Sequence, residues 1–116
     1  MTPHPSSSPR IGLLCSRVRV EEKLLHEAFE RRGVAFERLD ERELILGLEP
    51  GGARTTSGPL PELDLVFDRS ISFGSARYGL ALLEAQGIRC LNRSSVIATC
   101  GDKALSSAAF AVADVP

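Results

Sequence analysis

Strand-like and helix-like segments alternate along this chain, and the alternation restricts its fold more than any other feature. Four short apolar runs have the pattern of buried strands: residues 10–15, 35–39, 63–67 and 88–91. Three longer stretches have the composition of helices: residues 21–32, 73–86 and 103–113. Strands that alternate with helices form right-handed βαβ units, which build a parallel sheet. The sequence therefore predicts an α/β fold: a small, doubly wound, Rossmann-like parallel sheet of four strands in the order 2-1-3-4, with helices on both faces.

Helix ends and core positions follow from the same pattern. Gly33 and Gly87 come directly after the first two helical stretches, where a left-handed residue ends a helix. Residues 41–48 fit either a short helix or an edge strand, whereas residues 49–61 hold three Gly and three Pro and predict an exposed loop. The first helix is expected to turn one apolar face inward: Val20, Leu24, Leu25, Ala28 and Phe29. The predicted core consists of Leu13, Leu14, Leu24, Leu25, Phe29, Val66, Leu80, Leu83 and Leu91.

The composition is that of one ordinary globular domain. The chain has 116 residues, 43% of them hydrophobic and 25% charged, and its net charge of -1 gives no electrostatic case for binding nucleic acid or an acidic membrane. Its apolar runs are far shorter than the ~20 residues that span a bilayer. Three cysteines without C-x-x-C spacing predict reduced thiols in a cytoplasmic protein and no zinc site. Residues 1–9, rich in Pro and Ser, predict a disordered leader.

The loops exclude several familiar sites. The turn after the first strand, residues 15–19, has no glycine, which argues against a dinucleotide site, and no phosphate-binding loop is present. A receiver domain would share an aspartate at the position of Asp68 but needs an acidic pair where this chain has Ser16 and Arg17. His26 is expected to be a solvated helix residue. Cys100 is expected to be the most exposed of the three thiols, but the sequence places no base near it that would activate it. The sequence thus predicts neither catalytic residues nor a metal site.

Cations and hydroxyls mark the expected ligand site. In a sheet of order 2-1-3-4, ligands bind beyond the carboxyl ends of strands 1 and 3, where the winding reverses. The loops there are residues 16–19 and residues 69–74, and both carry arginine and serine. Such groups suit a carboxylate or phosphate oxygen.

Several stretches of this chain resemble the RimK-like ATP-grasp ligases, most closely the LysX-type enzymes of lysine and arginine biosynthesis. The resemblance begins with residues 10–23 and continues with Arg69, Ser72 and Arg77 in R-x-x-S-x-x-x-x-R spacing. Residues 90–94 are similar to the end of a family strand. Residues 101–103 are similar to the start of the helix that leads into the ATP-grasp module.

The resemblance implies a domain without activity of its own. Members of this family join a carboxylate to an amine through an acyl-phosphate, with ATP and magnesium held by domains that follow this one. We therefore expect residues 10–99 to form the pre-ATP-grasp domain and residues 100–116 to begin the connection to an ATP-grasp module. This chain itself is expected to hold no cofactor. The implied partners are a small acidic amino acid, an amino-group carrier protein and further copies in a homo-oligomer. The alternative function is a free-standing, flavodoxin-like binding module without catalysis.

The residues that could bind substrate each have a structural alternative. Arg69 and Arg77 are predicted to hold a substrate carboxylate or the carrier tail; alternatively they form salt bridges with Asp68 or Glu84. Ser72 could donate its hydroxyl to the substrate, but capping the second long helix is favoured. The remaining candidates are Arg17, which with Arg19 could reach across the same cleft, and Asn92, which could instead fix its turn. Asp102 is expected to cap the last helix, with Lys103 on its surface.

Overall fold

The computed structural model describes residues 8–49 and 51–116. Most of the predicted leader, residues 1–7, lies outside the described residues, and so does Pro50. The elements in chain order are β1 (Arg10–Leu14), α1 (Val20–Arg31), β2 (Ala35–Leu39), β3 (Leu44–Leu46), β4 (Ala53–Thr55), β5 (Gly58–Pro59), β6 (Leu65–Asp68), α2 (Phe73–Ala85), β7 (Cys90–Leu91), α3 (Ser94–Cys100) and α4 (Lys103–Val112). No helix among the described residues has the length and apolar content to cross a membrane.

The larger sheet is parallel and has the predicted strand order. Its strands lie in the order β2-β1-β6-β7, so the four predicted strands pair as 2-1-3-4. In this register Leu14, at the end of β1, lies between Leu39 of β2 and Asp68 of β6. The carboxyl ends of β1 and β6 therefore meet side by side, and this places the loops that follow them next to each other.

A second, smaller sheet occupies much of the segment predicted to be an exposed loop. Strands β3, β4 and β5 form an antiparallel sheet in that order, so the loop prediction for residues 49–61 is wrong, and residues 44–46 form a strand. The sheet is held partly by Gln86 at the end of α2. Its amide accepts a hydrogen bond from the Ala53 N–H (3.0 Å) and donates one to the Gly47 carbonyl (3.0 Å). Gly and Pro content did not reveal this contact because its partner lies more than thirty residues away.

Most of the predicted core is confirmed. Leu13, Leu14, Val66, Leu80 and Leu83 are completely buried between the large sheet and its helices. The predictions for Leu24 and Leu91 are wrong, since these side chains are 58% and 47% exposed, while Leu25 and Phe29 are half-buried.

The inward face of α1 differs from the predicted one by a rotation of the helix. The residues that face the sheet follow helical spacing: Glu22, Leu25, His26 and Phe29. Val20 and Leu24 point to solvent instead. His26 lies half-buried with its ring 4.9 Å from that of Phe36, so the prediction of a solvated histidine is wrong. A polar residue at position 22 hid this face from a search for apolar periodicity.

Of the two C-terminal helices, α3 packs against the core through Ile97, whereas α4 does not reach it. Helix α3 was not predicted; the carboxylate of Glu84 begins it by accepting hydrogen bonds from the N–H (2.8 Å) and hydroxyl (2.6 Å) of Ser94. Helix α4 has the predicted cap, because Asp102 accepts a hydrogen bond from the Leu105 N–H (3.0 Å). No residue of α4 is buried, and its apolar side chains face solvent: Leu105, Phe110 and Val112.

Candidate functional site

The candidate site lies at the carboxyl ends of β1 and β6. The segment after β1 runs from Cys15 to Arg19, where α1 begins, and the segment after β6 runs from Arg69 to Ser72, where α2 begins. Parallel pairing of these strands brings both segments to one edge of the sheet. Strand β7, which precedes Asn92, ends at the same edge.

A buried carboxylate, that of Glu22, joins the two segments. Its side chain has no exposed surface, and its two oxygens accept four hydrogen bonds. Three come from Arg19: from the backbone N–H (3.0 Å) and Nε (3.2 Å) to Oε2, and from Nη2 (2.7 Å) to Oε1. The fourth comes from Nε of Arg69 to Oε1 (3.0 Å). Glu22 thus ties the start of α1 to the loop after β6.

The electrostatics keep this carboxylate ionised. The side-chain hydrogen bonds from Arg19 lower the pKa of Glu22 from 4.5 to about 2, while burial acts in the opposite direction and Arg69 lowers the pKa further. At neutral pH the group therefore holds two guanidinium ions and one carboxylate. Its net charge of +1 suits an anionic ligand.

The two arginines use Glu22 differently. Arg19 commits Nε and Nη2 to the carboxylate, whereas Arg69 commits only Nε. Within residues 8–49 and 51–116, neither Nη atom of Arg69 has a protein partner, and its side chain is 33% exposed. Arg69 thus forms a salt bridge, as its structural alternative required, but with Glu22 rather than with Asp68 or Glu84.

The other predicted site residues do not join this group. Ser72 caps α2, as favoured, with its hydroxyl oxygen accepting a hydrogen bond from the Ser75 N–H (3.4 Å). Arg77 is exposed on α2, with its guanidinium 5.7 Å from the ring centre of Tyr78. Arg17 and Asn92 are also exposed. A substrate-binding role for Arg69, Ser72, Arg77, Arg17 and Asn92 stays a prediction.

A second polar cluster supports the segment after β1 from the side of β2. Nη2 of Arg38 donates to the Ser16 carbonyl (2.8 Å) and Nε to that of Cys15 (3.2 Å). Arg42 reaches the Ser16 carbonyl at 3.4 Å and binds both oxygens of Asp40. The hydrogen bonds from Arg42 lower the pKa of Asp40 to about 2. These contacts fix the backbone that carries Arg17 and Arg19.

The cysteines and acidic residues of the domain are the groups that a metal site or a reactive thiol would need. ATP and magnesium are implied for full-length relatives, but residues 8–49 and 51–116 contain no group of three His, Cys, Asp or Glu side chains that could hold a metal ion. Cys15 and Cys90 are buried, and burial raises the pKa of the Cys90 thiol to about 12. Cys100 is exposed, as predicted.

Comparison with known families identifies the family of this chain. A family model described as the LysX pre-ATP-grasp domain covers residues 11–99. The chain belongs to this family. The resemblance to RimK-like, LysX-type ligases drawn from the sequence is thereby confirmed.

Similar proteins and a solved structure agree that this chain belongs to the pre-ATP-grasp family. The domain is 33% identical over 97 residues to "Glutamate–LysW ligase ArgX" of Sulfurisphaera tokodaii and 31% identical to the protein of that name from Sulfolobus acidocaldarius. These matches cover 84% of this chain and 32% of each relative, so the chain spans about a third of their length. The solved structure of a RimK domain ATP-grasp protein from Sphaerobacter thermophilus has a TM-score of 0.72 and 29% identity, over 92% of this chain and 38% of that one.

Sequence reasoning missed Glu22 as the residue that organises the edge of this pre-ATP-grasp domain. Its position three residues after Arg19 does signal a helix start, since a Glu there bonds back to the backbone N–H of the capping residue. The contact with Arg69 joins residues 47 positions apart, and only the pairing of β1 with β6 brings them together.

Proposed function

We propose that this chain is the amino-terminal domain of an ATP-dependent carboxylate–amine ligase of amino-acid biosynthesis. Residues 10–99 form the domain, and residues 100–116 begin the connection to an ATP-grasp module. Membership of the LysX pre-ATP-grasp family supports this proposal, as do relatives named for the joining of glutamate to LysW. By itself the domain neither hydrolyses ATP nor binds it tightly.

Within that ligase, the edge between β1 and β6 contributes to the cleft for an acidic partner. The ligand is the carboxylate of a small acidic amino acid or the acidic terminus of a carrier protein. The single observation that carries this assignment is Arg69, whose Nη atoms remain available although its Nε is bound to Glu22. A guanidinium binds a carboxylate through two parallel hydrogen bonds, which a lysine ammonium cannot reproduce. Arg77, which is exposed on α2, is the second cation that we assign to this cleft.

Steady-state kinetics of the ligase that contains this domain test the proposal. Arg69→Lys and Arg77→Lys should each raise KM for the acidic substrate and lower kcat/KM roughly ten- to a hundred-fold, because each loses a paired hydrogen bond. The KM for ATP should stay unchanged. Arg31→Lys, at the exposed end of α1, is the matched control and should leave both constants unchanged. Unchanged kinetics with a lower melting temperature would show that Arg69 and Arg77 are structural.

A further inference from the structure

Glu22 and its two arginines depend on each other to different degrees. Its carboxylate would remain well satisfied without Arg69, since Arg19 alone supplies three hydrogen bonds, one of them from its backbone. The guanidinium of Arg69 has no comparable set of alternative hydrogen bonds among the described residues. Its single side-chain hydrogen bond within the described residues is the one from Nε to Glu22. The pairing therefore does little for Glu22 but fixes the orientation of Arg69.

The atom that Arg69 uses determines what it can still bind. A guanidinium can meet a carboxylate along the edge formed by Nε and one Nη, or along the edge formed by both Nη atoms. Arg19 presents the first edge to Glu22, with Nε and Nη2. Arg69 gives Glu22 its Nε alone at 3.0 Å. The edge with two Nη atoms remains for a second carboxylate, and the side chain is partly exposed to receive one.

We propose that Glu22 is a positioning residue, which holds Arg69 so that its two Nη atoms are directed to the carboxylate of an acidic ligand. This inference rests on the proposed function, in which Arg69 binds that ligand. Glu22 does not touch the ligand. It acts through the hydrogen bond to Nε, which costs Arg69 part of its side-chain freedom before the ligand arrives. The same bond fixes the loop after β6 against the start of α1, on the two sides of the cleft.

Because Glu22 is charged, its positioning effect on Arg69 can be distinguished from its electrostatic effect on an anionic ligand. Removing a carboxylate beside a cationic site raises the local positive charge, and Coulomb attraction alone would then strengthen binding of an anion. Loss of orientation acts in the opposite direction, because Arg69 must be ordered when the ligand binds. The sign of the change in affinity therefore decides between the two effects.

The test is a titration of the ¹⁵N-labelled chain with L-glutamate, followed by NMR through the Nε–Hε signal of Arg69 and the backbone amides. In Glu22→Gln we expect the dissociation constant to rise about tenfold, because Arg19 and Arg69 then compete for one neutral amide oxygen in place of two charged acceptors, and Arg69 is held less firmly. Glu21→Gln, the exposed neighbour on the first turn of α1, is the control and should leave the constant unchanged. Arg69→Lys should weaken binding at least as much as Glu22→Gln. In the unmodified chain, the Hε proton of Arg69 should stay protected from exchange at saturating glutamate.

Each outcome separates this inference from the function on which it rests. If Arg69→Lys weakens binding while folded Glu22→Gln binds equally well or more tightly, the positioning role is wrong and the cleft stands. If Arg69→Lys has no effect either, the cleft assignment fails and the positioning role fails with it. Should Glu22→Gln not fold, the unmodified chain still decides. Loss of Hε protection when glutamate binds would show that Arg69 leaves Glu22, which overturns the proposal.

Discussion

Side chains are paired and buried in one region of the domain and exposed in another. The first region is the edge between β1 and β6, and the second is the arm formed by α3 and α4, chiefly its helix α4. At the edge, a fully buried carboxylate accepts four hydrogen bonds from two arginines that come from separate loops. In the arm, Leu105, Phe110 and Val112 are 50%, 54% and 91% exposed, although α4 is a regular, capped helix. The difference shows that local signals such as a cap suffice to form a helix, whereas burial depends on what the rest of the domain offers.

The two helices of the arm are attached differently, since α3 packs on α2 and places Ile97 against the core, whereas α4 is joined mainly to α3. The hydroxyl of Ser106 donates to the Thr99 carbonyl (2.8 Å), which joins α4 to α3. The ring of Phe73, the first residue of α2, lies against Gly101 so closely that a Cβ there would overlap it. Gly101 is thus required by packing and not by its backbone angles, since its φ of -80° is open to any residue. Helix α4 therefore contributes little to the apolar core.

The largest expected effect compares one leucine from each side of this contrast. Leu80 of α2 is completely buried, and Leu80→Ala should lower the free energy of unfolding by about 2–5 kcal/mol through lost burial and the cavity left behind. Leu105→Ala, in the exposed arm, should change it by no more than about 0.5 kcal/mol. Chemical denaturation of both variants measures this difference. Equal losses would show that α4 is part of the core.

The next effect concerns the polar edge and its dependence on pH. Glu22→Gln should destabilise the domain at neutral pH by about 1.5–3 kcal/mol, since hydrogen bonds to a charged group are lost. Because the pKa of Glu22 is lowered from 4.5 to about 2 in the folded state, its contribution is complete above about pH 4.5 and disappears as the pH falls toward 2.

Denaturation across this pH range checks the sign. The gap between the unmodified chain and Glu22→Gln should narrow from pH 5 to pH 2. The pKa of Asp40 is also lowered to about 2, so its protonation reduces the stability of both proteins in the same pH range. This contribution is equal in the two proteins and cancels from the comparison. A gap that stays constant with pH would contradict the ion pairing of Glu22.

The smallest effect lies at the second sheet. Gln86→Leu removes both hydrogen bonds to β4 and to Gly47, and should cost about 1 kcal/mol because the Ala53 N–H loses its partner. Hydrogen exchange should rise at Ala53 and neighbouring amides of the small sheet but not in β1 or β6. Gln86→Glu, which keeps an acceptor for Ala53, should cost less. Faster exchange throughout the molecule would show that the two sheets unfold together.

Local patterns predicted the strands of the parallel sheet and helices α1, α2 and α4, but helix α3, the small sheet and the contacts between distant residues escaped them. The parallel sheet, its strand order, the caps at Ser72 and Asp102 and most of the buried leucines follow from periodicity and composition. The inward face of α1 did not, because a charged residue, Glu22, takes an apolar position there. The contact of Gln86 with the small sheet and that of Glu22 with Arg69 depend on tertiary pairing, which no spacing in the sequence encodes.

The most direct test of the central claim is a map of where the domain meets an acidic ligand. Backbone amide shifts of the ¹⁵N-labelled chain, recorded with increasing L-glutamate, report every region at once. If the edge between β1 and β6 forms part of the substrate cleft, saturable shifts should concentrate in residues 16–19 and 69–72, while α4 stays unchanged. Shifts confined to α4 or β7, or no saturable shift anywhere, would contradict the assignment of this edge as the ligand site.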